Sequence, residues 1–154
     1  INGRIDNVDR IKYSFVPQKI NLINDSIKKN IAFGENSINQ KSLEKAVKLS
    51  KLEETIRELP NGIETKVGEL GSKFSGGQIQ RIGIARALYT NPDIIIFDES
   101  TNSLDNETEN AFMQAVNMIK GKRIILFISH KLSLLEKCDK VYEIKDKKLY
   151  LKKI

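Results

Sequence analysis

The sequence predicts an α/β domain, a core of parallel strands into which a layer of helices is inserted. Three observations carry this. Ile94–Phe97 and Ile124–Ile128 are short, wholly apolar runs, as expected of strands buried on both faces of a parallel sheet. A helical stretch, Asn106–Lys120, separates them, and a strand–helix–strand unit sets its two strands parallel. Between the opening strand and Ile94 the periodic segments all read as helices.

The elements follow in order. Ile11–Val16 alternates weakly and reads as a strand ended by Pro17. Asp25 or Ser26 caps a short helix through Asn30, closed by Ile31–Ala32–Phe33–Gly34. Ser42 is expected to cap a second helix with Leu43, Ala46, Val47 and Ser50 on one side. Glu53–Leu59 is a third, stopped by the turn residues Pro60–Asn61–Gly62. Ser75 is a good N-cap for a fourth, with Ile82, Ala85 and Leu88 on its stripe. The Ile94–Phe97 strand follows Pro92. In the helix after it, Phe112, Ala115, Val116 and Ile119 form the buried stripe and Gly121 the C-cap. Leu132–Lys137 makes a brief helix. Lys140–Ile144 and Lys148–Leu151 read as terminal strands. Their joint, Lys145–Asp146–Lys147, has no glycine, so an open loop is expected rather than a tight type I′ turn.

At 154 residues the chain is one domain or part of one. Its 40% hydrophobic and 30% charged content is that of a soluble globular protein. No stretch reaches the ~18 consecutive apolar residues of a membrane span, and no signal-peptide pattern opens the chain. One cysteine, Cys138, leaves no internal disulfide and fits a reducing compartment. The net charge of +6 admits nucleic acid or anionic lipid as partners. The lysines are scattered, however, with short clusters at Lys147–Lys148 and Lys152–Lys153, and they lack the interleaved series of aromatic residues that a single-strand platform requires. Nucleic acid is therefore not expected, and attraction to a membrane surface is weakly supported.

Two stretches carry chemistry. Ser75–Gly76–Gly77–Gln78 opens a helix with glycines in its first turn, leaving backbone N–H groups open to a phosphate. The same residues also describe an ordinary capped helix start. Asp98 and Glu99 end an apolar strand, at the sheet edge where open α/β folds bind ligands. Two adjacent carboxylates there suit a divalent metal with a nucleotide, Asp98 holding Mg²⁺ and Glu99 orienting or deprotonating a water. An acidic N-cap pair on a loop is the plainer alternative. Parallel pairing places the single histidine, His130, at the same edge as this acidic pair.

FSGGQIQRIGIARAL resembles the signature motif of ATP-binding-cassette (ABC) ATPases. IIIFDES resembles their Walker B strand with its catalytic glutamate, and SLD (103–105) their D-loop. Ile128–Ser129–His130 resembles the switch-histidine loop, and Val16–Pro17–Gln18 the Q-loop. The five motifs stand in the family's order across essentially the whole chain, and the nucleotide-binding domain of ABC exporters is the most similar subgroup. The resemblance implies a P-loop NTPase-like parallel sheet, incomplete here, with an inserted α-helical subdomain. Residues 1–18 would form a core strand and Q-loop, 19–90 the helical subdomain with the signature, and 91–154 the remaining core. It implies ATP and Mg²⁺ as cofactors, Glu99, His130 and Gln18 as catalytic residues, and Asp98 and Gln18 at the metal. Ser75, Gly76, Gly77, Gln78 and Asp105 would serve a nucleotide bound mainly by a second nucleotide-binding domain, in a head-to-tail dimer. DSIKKNIAFG and TKVGELG are similar to exporter segments that meet the transmembrane domain, which implies the cytoplasmic face of the inner membrane.

The departures matter as well. No G-x-x-x-x-G-K-[ST] phosphate loop occurs in the sequence. Ile1–Asn2–Gly3 resembles a hairpin turn well inside the family's domain, so a fragment lacking roughly the first third is expected. Such a fragment would show no ATPase by itself. Phe74, Ile79 and Asn102 stand where the family usually has leucine, a polar or basic residue, and a smaller residue. The expected function is ATP hydrolysis powering export of lipid, lipid-linked oligosaccharide or drug. Two alternatives stay open: a non-catalytic module completing a partner's ATP site, and a soluble ABC ATPase of DNA repair or translation. A long coiled-coil insertion would mark chromosome-maintenance relatives, and no sustained heptads occur here.

Overall fold

The computed structural model describes residues 11–101, 104–121 and 123–152. Ile1–Asn2–Gly3 and Asn102 lie outside them, as do Ser103 of the SLD segment, Lys153 and the side chain of Ala115.

Three strands form one parallel sheet in the order β1 (Tyr13–Val16), β2 (Ile94–Asp98), β3 (Ile124–Ile128). The register is in step across all three: Val16 lies beside Phe97, and Phe97 beside Phe127. Side chains alternate between faces along a strand. One face carries Val16, Ile95 and Phe97, which are buried, together with the half-buried Ile125 and Phe127. The Phe97 ring stacks on Phe127 at 5.0 Å and meets Phe112 edge-on at 5.3 Å. The other face is uncovered among the described residues: Tyr13 is 68% exposed, Ile124 58% and Leu126 49%. The expectation that Ile94–Phe97 and Ile124–Ile128 are buried on both faces is therefore corrected. Among the described residues helices lie against one face only, so β2 alternates buried with half-buried residues and β3 half-buried with exposed ones.

The helices between β1 and β2 are α1 (Ile27–Ile31), α2 (Gln40–Leu49), α3 (Glu53–Glu58) and α4 (Gly76–Tyr89). Ser26, not Asp25, caps α1 through Lys29 N. The N-cap of α2 is Asn39, whose side chain accepts from Ser42 N at 3.0 Å, so the expected Ser42 cap is displaced by one turn. Gln40 donates to Glu44 at 2.9 Å, an i,i+4 pair that supports the added turn. Leu43, Ala46 and Val47 are buried as the stripe requires. In α4, Ile82, Ala85 and Leu88 are buried, and so are Gly83, Ile84 and Ala87, because this helix packs against β1, α1 and α2 together.

After β2 come α5 (Asn106–Ile119), β3 and α6 (Leu132–Leu135). Gly121, just past α5, takes the left-handed φ of +87° suited to a helix stop. The chain ends in an antiparallel hairpin, β4 (Val141–Lys145) and β5 (Lys148–Lys152). Lys145 pairs with Lys148, which leaves a two-residue joint. Asp146 and Lys147 both have positive φ, +50° and +61°, as a type I′ turn requires. The open loop expected there is thus corrected: strand twist favours the primed turn even without glycine, and Asp tolerates the left-handed region.

Candidate active site

β2 ends at Asp98, paired in register with Ile128 at the end of β3. The chain then turns sharply. Glu99 adopts a φ of +46°, and its N–H donates to Ile128 O at 2.9 Å, carrying the ladder one step past the strand. A left-handed non-glycine residue costs of order 1–3 kcal/mol, and such strain gathers at functional positions. Here it falls on the residue just past the end of β2, which carries the Glu99 carboxylate.

Two side chains meet that carboxylate. Gln18 Nε2, from the loop just after β1, donates to Glu99 Oε2 at 2.9 Å. His130 Nε2, two residues past β3, lies 3.2 Å from Glu99 Oε1. The strands fan these residues to one rim because they are parallel and in register. The Glu99 side chain is 25% exposed and that of His130 92% exposed, so the carboxylate is sheltered while the imidazole faces open space. All three residues expected at a catalytic position thus converge. A carboxylate held by an amide and an imidazole can order a water and take its proton.

Asp98 is half-buried at the strand end, and by alternation it falls on the uncovered face with Ile94 and Ile96. No group of three or more His, Cys, Asp or Glu that could hold a metal occurs among the described residues. A magnesium ion does not need one. It takes one or two protein carboxylates and fills the rest of its shell with phosphate and water. The Asp98 carboxylate and the Gln18 amide oxygen are hard oxygen donors of that kind, so the residues fit the ion.

The other expected binding residues sit at two helix starts. Ser75 Oγ accepts from Gln78 N at 3.3 Å and Gln78 Oε1 accepts from Ser75 N at 2.9 Å, a reciprocal capping box. Ser75 and Gly76 are exposed, and a side chain added at Gly76 would meet nothing within 4 Å. Gly77 is half-buried beside it. Asp105 caps α5, accepting from Thr108 N and from Thr108 Oγ1, both at 2.8 Å. Those bonds hold the Asp105 carboxyl below its ordinary range, the backbone bond foremost.

The structure also brings in residues that sequence reasoning passed over. Arg86 of α4 donates from Nε to Asn30 O at 2.8 Å, from Nη1 to Asn21 O at 3.1 Å and from Nη2 to Asn30 Oδ1 at 3.2 Å. Its guanidinium lies 5.2 Å from the centre of the exposed Phe33 ring, and burial lowers its pKa. Asn30, fully buried, binds Ile23, Asp25 and Ser26 as well. This joins the helix that begins at Ser75 to the segment that follows Gln18. The available signal was one asparagine inside an otherwise amphipathic short helix. Lys131 and Glu109 form a second such network; Lys131 is adjacent to His130, and Glu109 lies one turn after Asp105. The segments 25–34 and 65–71 are stitched together as well, with Ile27 N donating to Thr65 O and Val67 N to Asp25 O, both at 3.0 Å, and Lys28 pairs with Glu64, just before the second segment, at 2.7 Å.

The chain is 44% identical over 128 residues to an ATP-dependent lipid A-core flippase of Saccharophagus degradans, a match covering 83% of the chain and 22% of that protein. It is 40% identical over 140 residues to the ABC transporter ATM1 of Toxoplasma gondii, covering 91% of the chain and 12% of that protein. A solved structure of a bacterial Atm1-family ABC exporter with ATP bound superposes with a TM-score of 0.80 at 37% identity, covering 85% of this chain and 23% of that one. The chain thus spans less than a quarter of the length of these relatives. The family model described as ABC transporter matches residues 2–102, well over half of the sequence, and the chain belongs to the ABC transporter family.

Proposed function

We propose that the chain is part of the nucleotide-binding domain of an ABC exporter, in which ATP hydrolysis drives cargo across a membrane. Glu99, held between Gln18 Nε2 at 2.9 Å and His130 Nε2 at 3.2 Å, is the observation that carries this reading. Glu99 orients the attacking water and accepts its proton. His130 and Gln18, on the two oxygens of that carboxylate, would contact the γ-phosphate. Asp98 and the Gln18 amide oxygen would hold Mg²⁺, which supplies positive charge to the triphosphate.

Ser75, Gly76, Gly77 and Gln78 present the N-terminal end of α4 to the triphosphate of a second nucleotide-binding domain, head to tail. An exposed helix N-terminus contributes about 0.3–1 kcal/mol to an adjacent anion, and more once water is excluded. Asp105 stands at the same interface, at the start of α5. On a division into core (1–18 and 91–154) and helical subdomain (19–90), the catalytic rim would belong to one part and the glycine-led helix to the other. The stitched surface of 25–34 and 65–71 meets the transmembrane domain, on the cytoplasmic face of the inner membrane. Relatives named lipid A-core flippase support a lipid cargo.

The test is Glu99→Gln in the full-length protein. ATP binding is expected to persist while turnover falls by about 10²–10⁴, the contribution of a positioned base. Unchanged hydrolysis would falsify the assignment.

A further inference from the structure

A half-buried ion pair beside the site, its carboxylate buried and its ammonium 30% exposed, has no part in the chemistry just described. The Glu109 carboxylate, on the first turns of α5, is only 5% exposed. Its Oε2 lies 2.6 Å from Lys131 Nζ, and its Oε1 accepts from Ser133 Oγ at 3.4 Å. Lys131 Nζ also donates to Thr101 O at 2.9 Å, and Lys131 N donates to Ser129 Oγ at 3.1 Å.

We propose that Lys131 and Glu109 are positioning residues for His130, clamping the turn that carries the imidazole to the turn that carries Glu99. This rests on the roles given to Glu99 and His130 above. Stability alone does not account for the pair, since exposed ion pairs contribute little and buried ones are often replaceable by apolar residues at no loss. Placement does account for it. The His130 side chain is 92% exposed, so little besides its contact with Glu99 and the backbone of 129–131 orients it. Lys131 is the next residue, and its ammonium is fixed at both ends of the gap to be spanned. Thr101 O lies two residues past Glu99, and Glu109 anchors the ammonium to α5. An apolar side chain at 131 would fill the same space and leave Thr101 O and the His130 turn untied. The helix that Asp105 caps is thereby joined to the histidine turn.

The experiment uses the full-length protein with ATP and Mg²⁺, comparing Lys131→Arg, the double variant Glu109→Met/Lys131→Met and Glu99→Gln. The double variant removes both charges together, so no orphaned charge is left to unfold it. It is expected to melt near the wild type, keep its KM for ATP within about threefold and lose about tenfold or more in kcat. Lys131→Arg keeps the charge and the donors and is expected to recover most of that loss. A folded double variant with wild-type kcat overturns the clamp, and so does a loss that arginine does not recover. Should the Met pair not fold, Glu109→Leu/Lys131→Leu is judged by the same criteria. If Glu99→Gln hydrolyses normally, the reading of the site itself has failed. If it is inactive while the Met pair is normal, only the clamp has.

Discussion

Gly83 sits in the middle of α4, where glycine is less favourable than alanine by about 0.8–1 kcal/mol. The reason it is there is contact. A Cβ at this position would lie 2.4 Å from Ile20 Cδ1 and 2.7 Å from Ile20 Cγ1. Ile20 is two residues past Gln18, so the missing methyl lets the glutamine's segment lie flat on the helix that starts at Ser75. Gly83→Ala is therefore expected to destabilise by about 1 kcal/mol, overpacking of about 1–3 kcal/mol outweighing the propensity gain. Chemical denaturation checks the sign, and adding Ile20→Ala should turn the alanine favourable. Net stabilisation by Gly83→Ala alone would show the contact to be slack. Nothing in the sequence announced this. A glycine in a helical run reads only as a weak point, and its partner lies 63 positions away in a loop, from Ile20 to Gly83.

At the level of elements, β2, β3 and α5 were legible because period and composition agree there. The apolar runs begin and end within a residue of their predicted bounds, and parallel pairing alone puts His130 beside Glu99. Gln18 was not legible in this way: only its place in the order of motifs singled it out. Caps were read less well. Asn39 and Ser42 are both good capping residues, and tertiary contact decided between them, for Asn39 N donates to Tyr89 Oη at the end of α4. Asp105 allows a test at this scale. Its carboxyl is held below the ordinary range by the Thr108 bonds, so the folded state favours the ionised form. A depressed folded pKa stabilises above the unfolded value, about 3.9 for Asp, and the contribution is lost as pH falls through the folded value. The stability difference between wild type and Asp105→Ala should be complete at neutral pH and shrink on acidification below about pH 4. A difference that does not vary with pH would mean that the hydroxyl and amide of Thr108 do not need the charge.

Across the whole molecule, the sequence conveyed order but not coverage. Apolar runs in β2 and β3 were read as doubly buried because parallel sheets usually carry helices on both sides. The described residues supply one side. Tyr13, Phe15, Ile124, Leu126 and Ile128 line the other, each about half exposed or more. Hydrophobic composition says that a residue is fit for burial; it does not say what covers it. On its own this polypeptide should therefore be adhesive. An environment-sensitive dye such as ANS is expected to brighten on it, and light scattering should rise with concentration, since apolar patches beyond a few hundred Å² drive association. Changing Phe15 and Leu126 to lysine should suppress both effects and leave the opposite, packed side intact. Handling of the isolated polypeptide would then be governed by one greasy plane of a three-stranded sheet.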